Sequence, residues 1–342
     1  GLGDVYKRQT KNGNIRKVKN DKIDSKGIAK LGLSKDIPVS QFPAKLVLEL
    51  RSLTRKYYDL TDERSAHINK LKGDLHTVFP QYLDVFCDVT GKTSTMILRQ
   101  YGTPDKILRG HKKTMIEKIS KASRKGLAKA SERYEKLCAA ANAAKTFGCQ
   151  IDSIYFNIFL TLDLVEKLDS ALDSILNRIR QLITFNKNEK FIQQIKLLNT
   201  IPGVGFLTAV TIMCEIGDFS AFRNPKQLFA YFGLDPEVNE SGKFVGTQLH
   251  MSKRGSRIAR RAIFAVALAS IRTKRNGEGI NPYLRKYYEL KSGQKPKMVA
   301  IGAVMHKVCN IVFAVLRDEK AFELRSPEEH CKQYQRPALA AA

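Results

Sequence analysis

Three groups of residues in this 342-residue chain have the types and spacing of groups that hold or attack a phosphodiester backbone. Asp21 and Asp24, in Lys19-Asn-Asp-Lys-Ile-Asp-Ser25, stand three positions apart. On a helix that spacing puts both carboxylates on one face, where they could hold one Mg²⁺ ion. The plain alternative is an N-cap followed by a first-turn acid that favours the helix dipole. A two-metal nuclease would need one or two further acids. Ser241, followed by Gly242, offers a hydroxyl in a polar turn. Such a hydroxyl is a poor nucleophile unless a base or cation lowers its proton affinity and neutralises the phosphate it attacks. Lys243, Lys253, Arg254, Arg257, Arg260 and Arg261 supply a positive field nearby in sequence. By itself Ser-Gly is ordinary loop chemistry, and a basic cluster is more often a solvated phosphate-binding face than a catalytic one.

The third group is Ile201-Pro-Gly-Val-Gly205, set between two apolar helical patterns, residues 191–198 and 207–216. It reads as the turn of a helix-hairpin-helix. Gly203 and Gly205 let the backbone approach a phosphate, and the N–H groups opening the second helix hold it without reading sequence. A helix turn that touches nothing would use Pro and Gly as well.

These groups need a scaffold, and the apolar pattern predicts a mainly α one. Leu46, Leu50, Leu53, Tyr57 and Leu60, then Ile68, Leu71, Leu75 and Val78, mark one face of a long helix stopped by Pro80. Ile154, Ile158, Thr161, Val165, Leu168, Leu172, Ile175, Ile179 and Leu182 follow the alternating three-four spacing of a coiled-coil seam. The two helices could pair with each other as an antiparallel hairpin or with a second copy of the chain, and a plain bundle helix is the other reading. Between them, residues 111–145 read as one or two exposed basic helices, a solvated face or a nucleic-acid contact. After residue 191 a turn-rich centre is flanked by apolar helices at 260–271 and 298–316, and the tail after 326 reads as frayed.

Composition bounds the function. Lys and Arg number 59 against 33 Asp and Glu, a net charge of +26. That excess is a footprint for polyanions, DNA foremost. The six Cys and six His are scattered, which argues against a zinc site or a disulfide framework. No run of about 18 apolar residues predicts a membrane helix, and the N-terminal residues lack the apolar region of a signal peptide.

In order and spacing these groups resemble the serine/DEDD transposases of bacterial insertion sequences, relatives of the pilin-gene invertases. Residues 19–29 are similar to the family's Lys-Thr-Asp-x-x-Asp-Ala-x-x-x-Ala segment. Leu50-Arg-Ser-Leu-Thr-Arg55 and Asn69-Lys-Leu-Lys72 resemble its coiled-coil helix. Ile201-Pro-Gly-Val-Gly205, Gly217-Asp218, Phe232-Gly-Leu-Asp-Pro236, Ser241-Gly242 and Ser252-Lys-Arg-Gly255 track its C-terminal pattern. The resemblance implies a remnant of an α/β RuvC-like DEDD domain over residues 1–40, with 1–9 a junction outside the pattern. A helical and coiled-coil region over 41–190, a C-terminal transposase domain over 191–325 and a tail over 326–342 would follow. It implies that Ser241 attacks DNA, that Asp21 and Asp24 are the third and fourth acids of the Mg²⁺ site, and that the chain works as a dimer or tetramer. A structured guide RNA serves some members. The place implied is the bacterial cytoplasm, at the nucleoid and away from membranes. Two departures stand out: the first Asp and the Glu of the tetrad have no counterpart here, which reads as an N-terminally truncated member, and Ser256 replaces the usual Asn. A non-catalytic nucleic-acid-binding module and a metal-dependent, structure-selective nuclease are the competing readings.

Overall fold

The computed structural model describes residues 25–26, 29–30, 33, 43–149, 151–187, 189–237, 240–241, 244–245, 250–326 and 328–329. The chain divides into two units, residues 1–44 and 45–342. In the first, Ser25, Lys26, Ala29, Lys30 and Leu33 are helical and exposed. Asp21 and Asp24 lie outside the described residues.

The second unit is built on two 34-residue helices, α1 (Lys45–Val78) and α7 (Asp152–Phe185). They run antiparallel against each other: Leu50 shares a core with Ile179 and Leu182, Arg64 pairs with Asp169, and the Tyr155 hydroxyl donates to the Val78 carbonyl at 3.3 Å. The seam residues Leu50, Leu60, Leu71, Leu75, Ile158, Thr161, Val165, Leu172, Ile179 and Leu182 are buried. The seam is therefore satisfied within one chain, and an oligomer would have to use another surface.

Two separate cores sit at the two ends of this hairpin. The tip module follows α1 with α2 (Tyr82–Val85), α3 (Lys92–Gln100), α4 (Pro104–Arg109), α5 (Lys112–Ser123) and α6 (Leu127–Phe147). Its core gathers Phe79, Tyr82, Phe86, Ile97, Met115, Ile119 and Leu137 with the coil residues Leu71, Leu75 and Ile158. The Tyr82 hydroxyl, fully buried, is held by Ser94 at 2.9 Å.

At the other end stand α8 (Lys190–Leu198), α9 (Phe206–Ile216), α10 (Pro225–Tyr231), a hairpin of β1 (Glu240–Ser241) and β2 (Phe244–Val245), α11 (Arg257–Ile271), α12 (Pro282–Ser292) and α13 (Lys297–Asp318). Cap chemistry sets several of the starts. Asn224 and Asn281 each accept a backbone N–H into the first turn and are followed by Pro at the first helical position. Helix α13 is long and apolar enough to cross a membrane by length and composition. Here Val304, Val308, Val312, Phe313 and Leu316 are buried against the neighbouring helices, which makes it the core helix of this end.

Candidate nucleic-acid interface

Ser241 sits where a short β-hairpin turns back on itself. Its backbone pairs with Phe244, and Glu240 with Val245. Lower down, Pro236 bridges Met251, Glu237 N–H donates to the His250 carbonyl at 2.7 Å, and Ser252 Oγ donates to Asp235 Oδ1 at 2.6 Å.

The base of this hairpin is a backbone crossing. Gly233, at φ +66°, lies against Arg254 and Gly255; a Cβ on Gly255 would come within 2.0 Å of the Tyr231 carbonyl oxygen. Only glycine permits two chains to pass so closely. The crossing puts Lys253, itself at φ +51°, and Arg254 on an exposed loop beside the Ser241 hairpin. No carboxylate among the described residues pairs with either side chain.

Arg257, Arg260 and Arg261 are already engaged. Arg260 donates to the carbonyls of Phe232, at 3.2 Å, and Gly255, at 2.7 Å, so it braces the crossing from within. Burial lowers its guanidinium from the ordinary value. Arg257 and Arg261 both reach Asp62 on α1, at 3.4 and 2.7 Å, and Arg261 stacks over the Tyr58 ring at 4.9 Å. Ser256 caps α11 by accepting the Ala259 N–H at 3.2 Å, a task an Asn would perform equally well. Lys243 lies outside the described residues.

Beneath the loop is a polar cluster that sequence reasoning missed. Arg55 grips Glu215 with two bonds of 2.9 and 3.0 Å, Arg51 Nε donates to the Cys214 carbonyl at 2.7 Å, and the Tyr231 hydroxyl donates to the Glu215 carbonyl at 3.1 Å. Burial would push the Glu215 carboxyl up; hydrogen bonds from Arg55 and Ser256, with the charges of Arg55 and Arg51, outweigh it and hold the carboxyl below its ordinary value. The signal was available: Glu215 is the one carboxylate in an otherwise apolar helix, and a buried carboxylate demands a partner.

The 199–205 turn joins α8 to α9 as expected, but its two glycines differ. Gly203, at φ +97°, presses on Ser270, whose hydroxyl donates to the Pro202 carbonyl at 3.1 Å. Gly205 opens α9 into free space. Ser270 lies near the C-terminal end of α11 and the basic loop adjoins its N-terminal end. Fourteen residues at about 1.5 Å each separate the two by roughly 21 Å. The turn and the Lys253–Arg254 loop therefore stand apart and do not line one pocket. Among the described residues no group of three or more His, Cys, Asp or Glu is placed to hold a metal.

Comparison with known proteins adds the context. The Transposase IS116/IS110/IS902 family model matches residues 195–289, and a DEDD-type transposase model of the IS110 group matches residues 4–80. The insertion element IS110 43.6 kDa protein of Streptomyces coelicolor is 23% identical over 286 residues, covering 83% of this chain and 66% of its own length. The pilin gene-inverting protein of Moraxella bovis is 30% identical over 177 residues, 52% of either chain. The transposase for insertion sequence element IS1111A of Coxiella burnetii is 26% identical over 188 residues, 53% of this chain and 50% of its own. The chain thus spans from about half to just under two thirds of the length of these relatives. Two segments of this chain, residues 4–80 and 195–289, are thus similar to transposases of the IS110/IS116 group, and the Gly-crossed hairpin lies inside the second.

Proposed function

We propose that this chain is a DNA recombinase that cuts and rejoins strands through Ser241. The observation that carries the reading is the Gly233/Gly255 crossing, which holds the Ser241 hairpin and the exposed Lys253–Arg254 loop on one base. In the reaction Ser241 Oγ bonds to the phosphorus of a phosphodiester as one P–O bond to sugar breaks. The departing sugar oxygen takes up a proton and the serine proton passes to solvent or a nearby base. The phosphoserine link keeps the phosphoester bond, so a second sugar hydroxyl can displace the serine and rejoin strands without an outside energy source.

Lys253 and Arg254 have the exposure to neutralise the attacked phosphate. Gly205 and the opening N–H groups of α9 would hold a phosphate farther along the duplex, with Gly203 setting the turn. Asp21 and Asp24, inside the DEDD-type match, are the Mg²⁺ ligands of this reading, and a bound ion would supply positive charge to a phosphate. The dimer or tetramer of this reading would join through surfaces other than the seam, such as the exposed stripe Phe156, Leu160 and Leu164 on α7.

The test is covalent trapping. Labelled element-end DNA and Mg²⁺ are incubated with the chain, the mixture is denatured, and a protein–DNA adduct is sought. An adduct lost in Ser241→Ala, with duplex binding retained, is expected. Strand cleavage that persists in Ser241→Ala would sink the assignment and favour a metal-dependent nuclease.

A further inference from the structure

The tip module is absorbed by nothing above, yet it is where charge is least compensated. Residues 106–136 hold eleven Lys and Arg against three Glu, a net +8 of the chain's +26. Among the described residues one of these eleven, Lys136, has a carboxylate partner, Glu132 at 2.7 Å. Three others rest on aromatic rings of the module: Lys112 over Tyr134 at 5.8 Å, Lys118 over Tyr101 at 5.7 Å and Arg133 over Phe86 at 5.7 Å. A ring face orients a cation without cancelling its charge.

The other seven are exposed: Lys106 and Arg109 on α4, Lys113 and Lys121 on α5, Lys129 on α6, and Arg124 and Lys125 between the last two helices. On α5, Met115 and Ile119 face the core while Lys113 and Lys121, eight apart, are exposed. On α6, Ala130, Leu137 and Ala141 face inward while Lys129 and Lys136, seven apart, share one exposed flank. Arg124, at φ +53°, and Lys125 form the connection between the two helices. A cleft of about 440 Å³ elsewhere on the coil has Arg99 paired with Asp163 and Glu166 and Asp169 paired with Arg64, and lacks this excess.

We propose that the α5–α6 face of the tip module is a second, sequence-independent grip on duplex DNA. Lysines on two helices of a rigid module suit a phosphate backbone, where contact is by charge and not by base edge. Position favours the same duplex that meets the Ser241 hairpin. Asp62, beside Arg257 and Arg261, is 16 residues from Val78 at the foot of the tip, about 24 Å along α1 at about 1.5 Å per residue. That is less than one turn of B-DNA, roughly 34 Å.

The partner rests on the recombinase reading above, but the test reads binding and not strand cleavage. The full chain carrying Lys113→Gln, Lys121→Gln and Lys129→Gln is titrated by fluorescence anisotropy against a 30-base-pair DNA duplex of arbitrary sequence, over a series of salt concentrations. A matched control carries Lys286→Gln, Lys295→Gln and Lys297→Gln, three exposed lysines of the other end. The tip triple should weaken binding about tenfold or more and flatten the salt slope by about 2.7, at roughly 0.9 per phosphate contact. The control should do neither, and the Lys→Arg tip triple should restore both. Thermal melting of each variant confirms that the fold is kept. Equal binding by the tip triple and the control overturns the tip grip and leaves Ser241 chemistry standing. Weakened binding to an RNA duplex of the same length, with DNA binding unchanged, overturns the choice of DNA. A parent chain that binds no duplex overturns this inference and the recombinase reading together.

Discussion

The two ends of the coiled-coil hairpin use positive charge in opposite ways. Around the crossing at the C-terminal end, arginines are spent on internal acceptors: Arg55 on Glu215, Arg260 on two carbonyls, Arg257 and Arg261 on Asp62. At the tip they are mostly lysines, and of those in residues 106–136 only Lys136 has a carboxylate partner among the described residues. The difference follows from side-chain chemistry. A guanidinium presents a planar fork of donors that fits carboxylates and carbonyls, so it serves as a brace; an ammonium on a flexible stem stays hydrated and meets phosphates as a point charge. What looks in sequence like one basic cluster near Ser241 is therefore part scaffold and part surface.

Breaking the scaffold should have the largest effect. Gly255→Ala sets a methyl against the Tyr231 carbonyl, and we expect a loss of about 3 kcal/mol or more, with the melting temperature falling by several degrees and the Ser241 hairpin released. A wild-type melting curve from that variant would mean that the crossing is not the anchor.

Next comes the pair beneath the loop. Glu215→Gln leaves Arg55 half-buried without its carboxylate, at a cost of about 2 kcal/mol. The same pair sets an acid limit. The Glu215 carboxyl is held below its ordinary value, so its stabilisation is present above an unfolded-state pKa of about 4.3 and is lost as pH falls through the lower folded value. Melting curves below about pH 4.3 should therefore converge for parent and Glu215→Gln; a constant gap down to the lowest pH would contradict the assignment.

The smallest effects separate brace from surface directly. Arg260→Gln should lower stability by about 1–2 kcal/mol and leave the salt slope of DNA binding unchanged, because its donors are spent on carbonyls. Arg254→Gln should leave stability within about 0.5 kcal/mol and flatten the slope by about 1. The reverse pattern would exchange their roles.

Sequence alone determined the long elements of this protein. The three-four spacing from Leu46 to Val78 and from Ile154 to Leu182 forces two long helices with one apolar face each, because burying that face is the dominant favourable term. The 199–205 turn was legible because few residues tolerate its backbone shape, whereas the Gly233/Gly255 crossing joins segments about twenty residues apart and was not. Tertiary structure decided which cations are free. Asp62 lies 195 residues from Arg257, and Glu215 lies 160 from Arg55, so neither pairing leaves any periodic trace in the chain. It also decided that the seam closes within one chain, that the Gly203 turn and the basic loop stand at opposite ends of α11, and that the stretch between the long helices carries its own core. Pattern reports which face an element must bury. Which partner buries it, and which charge that partner neutralises, depends on contacts between residues far apart in the chain.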